Sequence, residues 1–134
     1  MEEVIIMDRT KFITKEDLDT NPNWVFVFGD NTIRKGYGGA AALRDHPQAY
    51  GFITKKFPDN DDSSFYTPQE YMGIPFMREQ LNLERLIQAH PAKTFIISKL
   101  GSGLANRFKI YEAVIQPWLV ELAGMYKNVV LLEV

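Results

Sequence analysis

The sequence predicts an α/β fold: one layered domain whose mostly parallel, mixed sheet is flanked by helices. Three observations lead there. Short apolar runs such as Trp24–Phe28 (WVFVF) lack the apolar/polar alternation of a half-solvated sheet and fit strands covered on both faces. Segments with helical spacing of apolar residues separate these runs, the arrangement that builds parallel sheets. Two of the runs lead into glycine-rich turns, one from Gly29 and one from Gly101.

In chain order, Val4–Met7 reads as a short strand at a sheet edge, ended by Asp8-Arg9. Thr14 is placed as the N-cap of a brief helix, with Asp17 in the capping-box position and Asn21-Pro22-Asn23 as its stop. Trp24–Phe28 reads as a central strand that stops at Gly29-Asp30-Asn31. From Gly36 small residues run into good helix formers up to Arg44, and His46-Pro47 ends that helix. Ala49–Thr54 supplies another strand, and residues 57–68, acidic and polar, read as an exposed loop. Leu81, Leu83, Leu86 and Ile87 mark an amphipathic helix ending near His90-Pro91. Thr94–Ser98 is a second buried strand. Tyr111, Val114, Ile115, Trp118, Leu119 and Leu122 then recur at helical spacing, with Pro117 as a kink and Gly124 as the C-terminal cap. Asn128–Val134 closes the chain as a buried strand.

At 134 residues and 46% apolar content, residues 1–134 are expected to form a single domain. Lys and Arg number 15 against 17 Asp and Glu, so the chain lacks the basic field that a nucleic-acid polymer requires, whereas a small anion needs only local positive potential. The absence of cysteine excludes disulfides and thiolate chemistry, and the acidic start MEEVIIMDRT is unlike a signal peptide, which suggests a cytoplasmic protein. No apolar run approaches the ~20 residues that span a bilayer, so no membrane role is expected.

In open α/β sheets ligands bind beyond the carboxyl ends of the strands, where helix N-termini attract anions. Gly29–Ala42 and Gly101–Lys109 both fall at such places, so a diphosphate held between two glycine-rich walls is the functional reading. The alternative is that these glycines only make turns and permit close packing. Gly36, Gly38 and Ala41 match G-x-G-x-x-A, but Gly29 to Lys35 intervene between the strand and this motif, which disfavours a Rossmann dehydrogenase; the P-loop motif is absent.

The segment Val25-Phe26-Val27-Phe28-Gly29-Asp30-Asn31, the later Gly38-Gly39-Ala40-Ala41 and the distant Gly101-Ser102-Gly103-Leu104 together resemble a macro domain, in particular the short macro-like proteins of bacteria and phages. The resemblance implies a macro-domain-like fold and a site for ADP-ribose or a related nucleotide; no motif calls for a metal, and no cofactor is expected. Under it Asn31 matches the asparagine beside the reacting ribose, and Gly38, Gly39 and Ala40 match the loop next to that ribose and the diphosphate. Gly101, Ser102, Gly103 and Leu104 match the second diphosphate loop, Asp8 the acid that accepts from the adenine amino group, and Phe108 the aromatic cover of the adenosine. Gly29 joins them at the end of its strand.

For chemistry, Asn31 is placed to position a water against an anomeric carbon, and Asp30 to act as a base if its carboxylate faces the site. The competing reading makes Asp30-Asn31 a turn that satisfies its own backbone. The expected function is therefore binding of an ADP-ribose-like nucleotide, with hydrolysis of an ADP-ribosyl linkage or phosphate ester as its enzymatic form. The alternative is a non-enzymatic sensor or sequestering protein for a signalling nucleotide. A scaffold is the third class, favoured if Tyr37 and Phe108 fill the two turns. Oligomeric state is left open.

Other signals read as structural. Asp59, Asp61, Ser63, Thr67 and Glu70 fall at calcium-loop spacing, but Ser64 replaces the required glycine and Pro68 intervenes. His46 and His90 suit helix ends, and Trp118 suits the core. Arg34-Lys35 and Lys55-Lys56 serve either as attraction for a diphosphate or as solvated surface. The acidic stretch from Asp59 to Ser64 is a candidate gate.

Overall fold

The computed structural model describes residues 6–8 and 13–133, the side chains of residues 6–8 and 133 excepted. The elements run β1 (Ile6–Asp8), α1 (Lys15–Thr20), β2 (Trp24–Asn31), β3 (Ala49–Lys55), α2 (Pro68–Tyr71), α3 (Ile74–Ala89), β4 (Thr94–Ile97), α4 (Gln116–Met125) and β5 (Val129–Glu133). The strands form one sheet in the order β1-β5-β4-β2-β3. Every ladder in it is parallel, so the expected mixed sheet is corrected to an all-parallel one. Among the described residues the antiparallel pairing is confined to an isolated bridge between Lys55 and Phe65. β1 lies at the expected edge, while Val4 and Ile5 lie outside the described residues.

Two apolar layers cover the sheet. One face carries Phe26, Phe28, Ile96, Val130 and Leu132 against Leu18 of α1 and Ala41 of the segment after β2. The opposite face carries Val27, Phe52, Phe95, Ile97 and Val129 against Leu83 and Ile87 of α3 and Leu119 and Leu122 of α4. This double coverage is why β2 and β4 are apolar without alternation. β2 runs through Gly29 to Asn31, three residues beyond the expected stop.

Local sequence explains several boundaries. Thr14 Oγ1 accepts from Asp17 N–H (3.1 Å) while Asp17 accepts from Thr14 N–H (2.9 Å), the expected reciprocal cap of α1. Residues 111–115 wind as a π-helical turn directly before α4, whose first turn contains Pro117; the missing proline N–H accounts for the irregular ladder there. Gly124 is not the cap: α4 continues to Met125. Leu83 and Ile87 of α3 are buried as expected, but Leu81 faces solvent. The loop after β3 is not wholly exposed, because Ser64, Phe65 and Tyr66 are buried.

β3 is an edge strand, and its open edge is closed by side chains. The buried Glu79 of α3 accepts from Ile53 N–H at 2.7 Å, and the Tyr71 hydroxyl donates to Ile53 O at 2.5 Å. Such plugging removes a template for strand addition. Burial pushes the Glu79 carboxyl above its ordinary range, against the bond from Ile53 and the nearby Arg34 and Arg78. Its charged form is thus penalised in the folded state, and stability falls as pH rises from the unfolded value of about 4.3 through the folded one. Gln keeps an acceptor for Ile53 N–H without the charge. We expect Glu79→Gln to melt at or above the wild-type temperature at pH 7, with an advantage that shrinks toward pH 4. Thermal denaturation across that range tests it, and a variant less stable at pH 7 than at pH 4, relative to wild type, would refute it.

Candidate functional site

The chain leaves β2 toward β3 on one face of the sheet and leaves β4 toward β5 on the other. Beyond the carboxyl ends of these adjacent strands the connections diverge, and a crevice opens where α/β sheets hold ligands. A cavity of about 810 Å³ occupies it. This lies within the range of small-molecule sites.

One wall is Gly29, Asp30 and Asn31 at the end of β2 with Gly36, Gly38, Gly39 and Ala40 after it; the other is Ser98 to Lys99 and Gly101 to Ala105 after β4. The two glycine-rich segments are thus brought together as expected. Built side chains at Gly38, Gly39 and Gly103 would meet nothing within 4 Å, so these positions face open space. Gly101 differs: its φ is +78°, and a Cβ would lie 2.8 Å from Ile115 Cδ1. There the glycine serves packing of the second loop on the helix behind it.

The helix N-termini expected at these loops are absent from the cavity. The first loop enters a five-residue 3-10 turn, Gly39–Leu43, rather than an α-helix. After the second come only a 3-10 turn, Leu104–Asn106, and then Asn106 Oδ1, which accepts from Tyr111 N–H at 2.9 Å and closes the following helix start. Positive charge at the cavity comes from side chains instead. Among the described residues, Lys35, Arg44, Lys55 and Lys99 line the cavity against a single acid, Asp30. Burial pushes the Lys55 ammonium below its usual value; its Nζ stands 4.6 Å from the Phe65 ring centre.

Asp30 is itself compensated. Its side chain is 1% exposed, with Oδ1 2.7 Å from Arg44 Nη2 and Oδ2 3.0 Å from Arg34 Nη1. Asn31 N–H also donates to Oδ1 at 2.8 Å. Burial pulls this carboxyl upward, but the hydrogen bonds from Arg44, Arg34 and Asn31 outweigh it and hold it below the ordinary range. Asp30, expected as a base, lines the cavity with its carboxylate engaged by two guanidiniums. Asn31 lines the cavity, yet its Nδ2 donates to Lys35 O (2.7 Å) and its Oδ1 accepts from Ile33 N–H (3.2 Å). Its amide holds the turn that the alternative reading described.

Of the remaining candidates, Gly29, Ser102 and Leu104 line the cavity, while Phe108 does not. Asp8 ends β1 beside Glu133, and its side chain lies outside the described residues. Tyr37 also stands apart from the lining, its hydroxyl donating to Asp45 at 2.9 Å, so neither aromatic fills the turns. Sequence reading missed Arg44, Lys99, Thr54 and Gly51. A Cβ on Gly51 would lie 2.3 Å from Asp30 Oδ2, so this strand glycine is what admits the ion pair. Position directly after β4 was the available signal for Lys99; for Arg44 and Gly51 there was none. The acids at calcium-loop spacing are engaged elsewhere: Asp59 accepts from Ser64 and Asp61, and Glu70 caps α2 and pairs with Lys56.

Residues 8–107 match a family of unknown function (DUF7831). The chain belongs to that family. No curated protein and no solved structure matches it. Among the described residues no helix is long and apolar enough to cross a membrane.

Asp30 generates a pH prediction. Its folded value lies below the unfolded one of about 3.9, so its contribution is fully present above that pH and is lost as pH falls through the folded value. Asp30→Asn should lose on the order of 1–3 kcal/mol at pH 7, the scale of hydrogen bonds to charged groups, and the deficit should narrow at pH 3. Urea denaturation at both values measures it; an unchanged deficit would deny the carboxylate this role.

Proposed function

We propose that this chain binds an ADP-ribose-type nucleotide in the crevice between β2 and β4, as a macro-like domain. The observation that carries the reading is the pairing of two open glycine walls with Lys35, Lys55 and Lys99 around one cavity. The glycines let a backbone approach a phosphate chain, and the lysines supply local positive charge in a chain whose formal net charge is -2. The apolar end formed by Ile13, Phe26, Leu43 and Leu132 suits the base of a nucleotide.

Engagement of Asp30 and Asn31 within the first loop favours binding over hydrolysis, since general-base chemistry requires an acceptor directed at the reacting group. The protein then acts as a sensor or sequestering partner for the nucleotide, and Asp30 and Asn31 are positioning residues.

Titration calorimetry with ADP-ribose, AMP and NAD, followed by mass analysis of the recovered ligand, tests this. ADP-ribose should bind tightest and return unchanged. Gly38→Glu, at a position with space and an extended backbone (φ −77°, ψ 145°), should weaken binding by about tenfold or more while leaving the melting temperature close to wild type. Binding of none of the three ligands overturns the reading; cleaved ligand would restore the hydrolase form.

A further inference from the structure

We propose that residues 57–64 form a strap across the mouth of this cavity, latched by Arg107, and that release of the latch limits exchange between cavity and solvent. What passes the strap rests on the nucleotide reading above; the strap itself does not.

Both ends of the strap are fixed. Lys56 N–H donates to Ser64 O at 2.8 Å, and Phe65, 2% exposed, bridges to Lys55. Between the ends, Asp59 Oδ1 accepts from Ser64 Oγ at 2.5 Å and from Asp61 N–H at 3.0 Å. A loop closed at its base and bonded within itself moves as a unit. Its two flanks lie beside the two glycine-rich segments. Pro58 lines the cavity, with its Cβ 3.8 Å from where a Cβ on Gly36 would stand. On the other side Arg107, just after the second glycine loop, donates to Asn60 O at 3.1 Å and to the Asp62 carboxylate. Its guanidinium carbon also lies 4.2 Å from the Phe65 ring centre. The strap thus runs from the first glycine wall to Arg107, two residues beyond the lining of the second.

The latch is weak by construction. Arg107 and Asp62 side chains are 38% and 79% exposed, and ion pairs in such surroundings contribute little and are screened by salt. The base, by contrast, is held by backbone bonds and a buried ring. Opening therefore occurs at the Arg107 side, with the base as hinge.

The chain has no cysteine, so Ser98→Cys places a single thiol in the cavity lining. Its alkylation by iodoacetamide, a neutral reagent, reads access without contribution from ligand affinity. Adding Arg107→Ala or Asp62→Ala should each speed labelling about threefold or more, although they change net charge in opposite directions. The exchanged pair Arg107→Asp with Asp62→Arg should return the rate toward that of Ser98→Cys alone. Raised salt should speed labelling with the latch intact and not in its absence. In stopped-flow mixing with ADP-ribose, the latch variants should raise association and dissociation rates together. Equal labelling rates in all variants, with unchanged circular dichroism, would overturn the strap. Absence of ADP-ribose binding in wild type would remove the nucleotide reading alone, since the labelling arm still reports on the strap.

Discussion

Much of the site depends on one buried carboxylate at the end of β2. A charge in Asp30's surroundings is tolerated only when paired, and its partners come from two places in the following segment: Arg34, four residues on, and Arg44, at the far side of the glycines. Arg44 also donates to Gly36 O (2.8 Å) and Lys35 O (3.2 Å), and its guanidinium lies over the Phe28 ring. The segment from Asn31 to Arg44 is consequently tied at both ends to the sheet. It needs little apolar anchoring of its own, and among its residues Ala41 joins the core. A glycine-rich stretch with no long helix to stiffen it thus keeps a defined shape.

The glycines divide into two physical classes that share one letter. Gly29, Gly51 and Gly101 sit against neighbours: a Cβ on each would meet Thr54, Asp30 or Ile115 within 3.2 Å or less. Gly38, Gly39 and Gly103 face empty space. The first class lets strands, loops and the Asp30 cluster close on one another; the second leaves the cavity open. Substitutions in the first class act through packing; in the second, Gly39 at φ +57° and Gly103 at ψ −127° also hold backbone angles that suit glycine, which leaves Gly38 as the position where a side chain enters open space unstrained.

This division explains how much was legible. Buried strands, the Thr14 cap and the two glycine loops follow from local pattern, and they position the crevice once the strand order is known. Strand order itself was not readable, and an all-parallel sheet differs from a mixed one only through pairings between distant segments. The helix expected after Gly38 shortened to a 3-10 turn because Arg44 is drawn back onto Asp30 and Pro47 follows closely. Asp30 looked like a turn residue or a base because Arg44 and Gly51 lie 14 and 21 residues later, beyond any local window. The polar stretch after β3 concealed two buried aromatics, Phe65 and Tyr66, that a reading of average polarity overlooks.

Net charge also misleads when taken over the whole chain. The formal charge is -2, yet among the described residues the cavity's one acid is neutralised by arginines while three lysines face the same space. Fields within a cleft are set by such local arrangement rather than by the total. Lys55 shows the consequence most clearly. Its ammonium is disfavoured by burial, and an anion seated beside it would oppose that effect and favour the charged form. Protonation of Lys55 and the binding of any anion beside it would therefore favour each other.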